Sequence, residues 1–577
     1  MTDEPTRPTG VRHLIVLLLV LMSLLLYLDR LCVSFAVDYI KEDLGLTQTQ
    51  ISWFLSIFFW SYALAQVPSG WLSDRYGARR VLALYVVAWS LFTAQMGVVA
   101  GFVMLMIARL GCGLGQAGAY PTSGGVISRW IPISKRATAS AWVSLGGRIG
   151  GAIAPLLTAY LMVVFVPVGT SVQFTDADLL DASKLTNILR ASQNLETTLS
   201  SLEIGAAARR LGRFAAPDLP LTESLNALLN RRDLFDEAAF GSLKLPDEAL
   251  KYLERIHRGE KLDEKVEWPR MNRLLIEAAF PGEIRKLYGR GWRPVVIIYG
   301  LCGLVVAFGI WWVFRERPEQ HPWVNAAELS VIAAGVSVKP ASNERAGRLP
   351  IRPFLTDLSL WSNCACQVGT NIGWLFLVTW ISRYFIEMHN VPILERGKLV
   401  MMPGLIGMCG GYLGGRWCDW LLPRVGLKWS RRLPPVLTRF LAAGGYGLCL
   451  IFASLPEDSL LNSPWAFTVA FCIVYFAVDL GQSAVWAYAQ DAGGKYVGSV
   501  LGWGNMWGNL GAAVSPLMYN AILGETPTQR EWNNLFWLGV VAFLAAGVCA
   551  LGLDATKPVF SEEATSKNAV QADASER

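Results

Sequence analysis

The sequence predicts an all-α membrane protein: twelve transmembrane helices in two pseudo-symmetric six-helix halves, with an extracytoplasmic, mainly helical insert between spans five and six. Three observations carry this. Of 577 residues, 53% are hydrophobic and only 17% are charged, where soluble chains carry charge at about one residue in four. Apolar runs recur at the length a bilayer core requires, about 20 residues. Basic residues gather in alternate loops, the asymmetry that orients membrane proteins. The net charge of +6 comes from those loops and is no argument for nucleic acid. The same composition excludes disorder, collagen-like repeats and a disulfide-knotted secreted fold. All ten Cys lie in apolar segments, away from polar loops where a disulfide framework or zinc site is built.

In chain order the spans read 13–37, 51–72, 81–100, 102–129, 137–165, 293–314, 357–383, 396–422, 434–455, 464–489, 496–523 and 532–553. The first resembles a signal peptide at its start but runs on through Asp29-Arg30 without a small-residue cleavage pattern, so it is read as retained. One set of loops holds Arg75, Arg79 and Arg80, then Arg129, Lys135 and Arg136, then Arg315 and Arg317, then Arg424, Lys428, Arg431 and Arg432. The opposite set holds little beyond Lys41, Arg396, Lys398 and Arg530. Both termini are therefore expected in the cytoplasm of a cell whose inner membrane holds the protein. The first half is 1–167, closed by span six at 292–315; a cytoplasmic linker follows at 316–352, the second half at 353–557, and a disordered tail at 558–577. The insert, 168–291, balances acids and bases and has no stretch long enough to span; Leu221–Leu234 and Glu248–Ile256 carry apolar residues at helical spacing.

The chain also repeats. Gly70-Trp71-Leu72-Ser73-Asp74-Arg75 ends span two, and Gly415-Arg416-Trp417-Cys418-Asp419 ends span eight. Both place a Gly four residues before an Asp at the same point of a six-span half. Parallel halves of this kind are what a rocking carrier requires.

Local motifs add a resemblance. Tyr27-Leu28-Asp29-Arg30 in span one, Phe58-Phe59-Trp60-Ser61-Tyr62-Ala63-Leu64 in span two, the Gly70–Arg80 loop, Arg109 through Pro121 in span four, Arg317-Pro318-Glu319-Gln320-His321-Pro322-Trp323 after span six, and Asn505 with Gly508-Asn509-Leu510-Gly511 in span eleven resemble the major facilitator superfamily. Within it the chain is similar to the anion:cation symporters, which carry sugar acids, aromatic acids and other organic anions. The resemblance covers nearly everything except the insert and the tail. It implies a major facilitator fold and a secondary active transporter, with an organic anion, a hexuronate or aldonate foremost, and a proton as partners. It also implies that Asp29 is a protonation site, that Arg30 meets a substrate carboxylate, and that Asp74 and Arg75, with Asp419 as counterpart, form a conformational lock.

The residues support a charged site in their own right. An ionisable group in mid-membrane is costly unless paired or turned to a cavity. Asp29 and Arg30 lie about a hundred degrees apart on their helix and need not pair with each other; a structural ion pair is the other reading. Arg109 and Gln116 share a face two turns apart, although Arg109 near the interface also suits snorkelling. Related sugar-acid symporters place a Glu where Gln116 stands, which leaves one titratable group fewer for coupling. Arg148, in Gly146-Gly147-Arg148-Ile149-Gly150-Gly151, adds positive charge where the resembled family usually has a small or neutral residue, or bonds helix carbonyls. Asp479, Ser483, Trp486 and Gln490 form one polar stripe in span ten, and Asn505 and Asn509 lie one turn apart in span eleven. The expected pocket is Arg30, Arg109, Tyr27, Tyr62, Gln116, Ser483, Trp486 and Asn505, with Asp29 for the proton and Arg148 and Asp479 as further cavity charges. Asn371 and Trp374 are candidates from span seven, and Arg383 stands near its outer end.

No phosphate loop, nicotinamide fingerprint, catalytic triad or metal-ligand spacing is present in the sequence. No cofactor and no enzymatic activity is expected. A monomer is expected, with the bilayer and the anion as partners and the insert's partner unidentified. Two alternatives to proton symport are an uncoupled or exchange carrier, motivated by Gln116, and a transporter-like receptor that senses ligand through the insert.

Overall fold

The structure, a computed structural model, describes residues 7–560 apart from 167–169, 194–204, 217–218, 242, 244, 335–346, 390, 392, 457 and 525–526. Among the described residues it is helical throughout, save an antiparallel bridge between Leu179 and Ile284. The first half comprises α1 (Val11–Leu44), α2 (Gln48–Tyr76), α3 (Ala78–Met96), α4 (Phe102–Ala117), α5 (Ala119–Trp130) and α6 (Arg136–Val164). Six shorter helices follow: α7 (Ala182–Gln193), α8 (Ala206–Phe214), α9 (Leu221–Leu229), α10 (Glu237–Phe240), α11 (Asp247–His257) and α12 (Glu267–Ala279). Then come α13 (Trp292–Val313), α14 (Ala326–Ala333) and α15 (Ile351–Thr356). The second half is α16 (Leu358–Thr379), α17 (Ile381–His389), α18 (Ile393–Ala453), α19 (Pro464–Ala492), α20 (Val497–Leu523) and α21 (Gln529–Ala550).

Among the described residues, eight helices are long and apolar enough to cross a membrane, or nine when α16 and α17, bent by 56°, count as one. The sequence reading expects twelve spans, and the difference has three sources. α18 holds two expected spans, broken at Gly426, where φ is +76°. α3 opens on Arg79 and Arg80, and α20 alternates Gly, Asn and Trp, so neither is among the apolar eight. The glycines of α20 are used for contact: a Cβ at Gly502 would lie 2.5 Å from the Gln66 carbonyl of α2, and one at Gly508 would lie 2.9 Å from the Asn371 amide of α16. Close backbone approach of this kind is how helices associate where lipid supplies no hydrophobic drive.

Helix ends follow local rules. Thr47 and Gln50 form a capping box at the start of α2, Asp357 accepts the Leu360 N–H at 2.6 Å to start α16, and Thr528 with Glu531 caps α21. Gly45, at φ +62°, closes α1. The first and last described stretches lie beside the basic loops. Glu328 of α14 is fully buried and accepts from the Gly10 N–H and from Arg12 Nη1, at 3.1 and 2.7 Å. Val559 donates its N–H to the Ala492 carbonyl, and the Phe560 ring packs 4.6 Å from Tyr496. The tail expected to be unstructured from 558 thus starts packed; its remainder, from 561, lies outside the described residues.

Helices α7–α12 surround a hydrophobic core of their own, including Leu185, Leu211, Leu225, Phe240, Met271 and Leu275. The expected helices at 221–234 and 248–256 correspond to α9 and α11. This segment is fastened to the first half: Asp43 at the end of α1 pairs with Arg285, Glu42 pairs with Lys286, and Arg270 donates to the Val166 carbonyl at 2.8 Å. Inside it, burial acts to raise the Asp178 carboxyl, but the Thr175 amide and the Arg273 and Arg290 guanidinium groups hold it below the ordinary range.

The α1–α6 contact is a tight seam of the first half. A Cβ at Gly146 would meet the Val20 carbonyl at 2.5 Å, and one at Gly150 would collide with the Leu24 carbonyl. Gly150→Val is expected to cost about 1–3 kcal/mol of stability, the range for overpacking, read as a lowered thermal midpoint. Gly444→Ala, where an added methyl meets nothing within 4 Å, is expected to change stability by no more than about 1 kcal/mol.

Candidate functional site

The two halves meet at buried charge. On the side of the basic loops, Asp74 at the end of α2 accepts from the N–H groups of Gly498 and Ser499 at 3.0 and 2.8 Å, and from Ser499 Oγ at 2.8 Å. These are the first amides of α20, so the carboxylate caps a helix of the other half. Asp419 of α18 does the same for α6, accepting from Ala137 and Thr138 N–H at 3.2 and 2.8 Å. The glycine four residues before each Asp permits the approach. A Cβ at Gly70 would collide with the Gly498 carbonyl, and one at Gly415 would lie 2.6 Å from Ala141 Cβ. Asp491 then joins the halves through Arg136 at 2.6 Å; within the second half it pairs with Arg431 at 2.8 Å, and Arg431 also stands 3.7 Å from Asp419. Arg75, expected beside Asp74 in the lock, instead lies over its own-helix rings, 5.3 Å from Trp71 and 5.7 Å from Tyr76.

Deeper in the bundle, Arg30 of α1 is half-buried, and its guanidinium lies 4.4 Å from the Tyr62 ring and 5.1 Å from those of Tyr27 and Phe58. Its Nε and Nη2 donate to Gln116 Oε1 at 3.4 and 3.3 Å, and Gln116 Nε2 in turn donates to the Leu26 carbonyl at 3.4 Å. Among the described residues no carboxylate lies within 4 Å of this cation. Tyr27 passes beside α6, where a Cβ at Gly147 would touch its ring at 2.8 Å. Tyr120 donates to or accepts from Ser23 Oγ at 2.7 Å and meets Trp486 of the second half at 5.1 Å. Arg30, Tyr27, Tyr62 and Gln116 are thus together, and Trp486 joins them through Tyr120.

Asp29 turns the other way. It is fully buried against α3, where Oδ2 accepts from Trp89 Nε1 at 3.1 Å and Oδ1 has no partner among the described residues. Asp29 and Arg30 do not pair. Arg109 is also sealed: 1% exposed, over Phe58 at 4.4 Å and Phe54 at 5.5 Å, with Nε and Nη1 unbonded among the described residues. Its seven-residue offset from Gln116 amounts to about 10 Å along α4, which leaves it behind Phe58 while the amide reaches Arg30.

Arg148 of α6 crosses to the second half. Nη2 donates to Asp479 Oδ1 of α19 at 2.6 Å, Nη1 to the Tyr475 hydroxyl at 3.1 Å, and the guanidinium lies 5.1 Å from the Trp374 ring. Read separately in the sequence as two cavity charges, they neutralise one another here. Below the pair, Ser140, Ser144, Ser483 and Trp486 wall a narrow pocket, and Gln490 donates to Ser140 Oγ at 2.8 Å. Asn505 is half-buried on α20 and accepts on its carbonyl from Asn509 Nδ2 at 2.7 Å; Asn371 bonds back to the Gln367 carbonyl of its own helix at 2.9 Å. Arg383 pairs with Glu387 at 2.6 Å on its own helix.

Several polar residues here were not anticipated. Ser140 and Ser144 precede Arg148 at four-residue steps, a stripe visible in the sequence. Arg439 is 1% exposed in α18 and donates to Thr370 Oγ1 at 2.7 Å and the Val478 carbonyl at 3.0 Å, tying α16 to α19. It lies inside the expected span 434–455, where an intramembrane cation is itself a signal.

Paired helical halves with caps exchanged between them, and an Arg30 met by rings and an amide alone, fit a membrane transporter. The sequence profile of the Major Facilitator Superfamily matches residues 19–169 and 284–516, more than half of the chain, and this protein belongs to that superfamily. The match leaves out 170–283, the segment of α7–α12. Among relatives, the chain is 24% identical over 534 residues to a probable galactarate/D-glucarate transporter of Bacillus subtilis strain 168, covering 90% of this chain and 87% of that one. It is 36% identical over 164 residues to a probable L-galactonate transporter of Escherichia coli K12, covering 28% and 36%. The fold is similar to the crystal structure of a bacterial homologue of the iron transporter ferroportin, with TM-score 0.56, 12% identity, and 94% and 98% of the two chains covered.

The exchanged caps predict a measurable coupling. Removing either carboxylate, as Asp74→Ala or Asp419→Ala, is expected to cost about 0.5–2 kcal/mol of closure on the basic side, the range for an N-cap. A cysteine placed at buried Ser140 is then expected to label about 2- to 30-fold faster with a thiol reagent than in the parent. Unchanged labelling in both variants would show that the caps do not hold the halves together.

Proposed function

We propose that this protein is a secondary active transporter that moves a sugar-acid anion across the membrane by alternating access of its two halves, with a proton as the coupling ion. The observation that carries the reading is Arg30: a half-buried guanidinium between aromatic rings whose oxygen partner is the neutral Gln116 amide. Such a cation is matched by a ligand carboxylate. Hydroxyls, amides and the Trp486 indole nearby suit a polyhydroxylated body. The names of the relatives, which carry aldarates and an aldonate, favour the same class.

In this reading the chain crosses the inner membrane twelve times: α18 contributes two spans, α3 and α20 one each, α4 with α5 one, and α16 with α17 one. The basic loops and both termini face the cytoplasm, as the positive-inside rule favours; residues 168–291 form the extracytoplasmic insert and 316–352 the cytoplasmic linker. The protein works as a monomer. The cross-half bonds of Asp74, Asp419, Asp491 and Gln490 all lie toward the basic side, which favours a conformation closed to the cytoplasm. Asp29, with one hydrogen bond and one bare oxygen, is assigned the proton, and Arg109 is assigned to the anion in a later state of the cycle. A second reading, an uncoupled or exchange carrier, draws on Gln116, which stands against Arg30 and cannot titrate.

Uptake of sugar acids into proteoliposomes tests both. Accumulation driven by an inward proton gradient is expected. Asp29→Asn is expected to abolish the response to the gradient while equilibrium exchange survives, and Arg30→Gln to raise KM at least tenfold. Uptake indifferent to the gradient in the parent protein would favour the uncoupled carrier. No movement of any organic anion would overturn the proposal.

A further inference from the structure

The pair at the centre of the bundle has a build that a purely structural ion pair does not need. Arg148 retains 22% side-chain exposure, while Asp479 retains 6%. One guanidinium nitrogen binds the Asp479 carboxylate at 2.6 Å; another binds only the neutral Tyr475 hydroxyl at 3.1 Å. The cation is held from its faces by Trp374 and Tyr475, at 5.1 and 5.4 Å, so its position does not depend on Asp479 alone. Arg30 is built alike: aromatic rings on its faces, a neutral oxygen at its edge, and partial exposure. Tyr27 lies between the two sites, 5.1 Å from the Arg30 guanidinium and packed on α6 at Gly147 and Gly151, either side of Arg148.

We propose that Arg148 is a second carboxylate receptor held in reserve by Asp479, and that the distal acidic group of a six-carbon sugar diacid displaces Asp479 from it. This rests on the sugar-acid reading above and adds to it a specificity-determining pair. One carboxylate of the substrate sits at Arg30 and the other exchanges for Asp479 at Arg148. The exchange conserves charge at Arg148 and opens the one ion pair that joins α6 to α19 in mid-bundle among the described residues. A monoacid of the same length engages Arg30 and leaves the pair closed. Discrimination between diacid and monoacid, and release of a link between the halves, then come from the same event.

Equilibrium binding of glucarate and gluconate to the purified full-length protein tests this, by calorimetry on the parent, Asp479→Asn and the double variant Arg148→Gln/Asp479→Asn. The first variant is isosteric and the second removes both charges, so neither buries a lone carboxylate. The readout is the ratio of the two affinities. The parent is expected to favour glucarate; Asp479→Asn, which removes the competitor, raises the ratio at least tenfold, and the double variant brings it close to one. An unchanged or lowered ratio in Asp479→Asn, or a double variant that keeps the parent's preference, would overturn the inference while leaving the sugar-acid reading intact. A folded parent that binds neither acid would instead overturn the sugar-acid reading, and this inference with it.

Discussion

Charge in an apolar interior is stable only when another group meets it, and the way this chain meets its buried charges organises everything else. Carboxylates on the basic side are matched by helix amides of the opposite half and by arginines. The mid-bundle Arg148 is matched by Asp479. Arg30 is matched only by rings and an amide. The gradient from fully matched to incompletely matched runs from the basic side toward the centre, so the closure is strongest where the caps are and the affinity for an incoming anion is greatest where they are not. Cap strengths of about 1 kcal/mol each suit contacts that form and break, as the proposed alternating-access cycle requires.

Much of this architecture was legible in the sequence. The Gly70–Asp74 and Gly415–Asp419 repeats identified equivalent points of two halves, where the structure has each carboxylate capping a helix of the other half. What the repeat does not encode is the partner: Asp74 and Ser499 are 425 positions apart, and no periodicity reports such a pairing. The separation of Asp29 from Arg30 follows from helix geometry alone, whereas Trp89 as the Asp29 partner does not. Arg148 and Asp479 were each visible as mid-membrane charges of opposite sign in different halves. Counting every intramembrane cation against a counter-ion would have joined them; reading each within its own helix did not.

The twelve expected spans and the eight apolar helices part where close packing and apolarity compete. α20 trades hydrophobic side chains for Gly and Asn because it packs backbone to backbone with α2 and α16, and a hydropathy threshold reads that as weakness. Arg109 shows a complementary limit. Its shared face with Gln116 is real, but about 10 Å of rise and the Phe58 ring separate it from Arg30. The insert presents a simpler case. Its helical spacing was visible, and the pairs of its Arg285 and Lys286 with Asp43 and Glu42 of α1 fasten it to the first half.

The central claim is that the two halves move about a buried anion site. The most direct measurement is the distance between spin labels at Val98 and Leu460, exposed on the insert side in opposite halves, with the exposed Cys302 and Cys409 replaced. On addition of a sugar acid that the labelled protein binds, the account predicts a new, shorter distance population as the halves close over it. A single unchanged distance in protein that demonstrably binds the acid would contradict it.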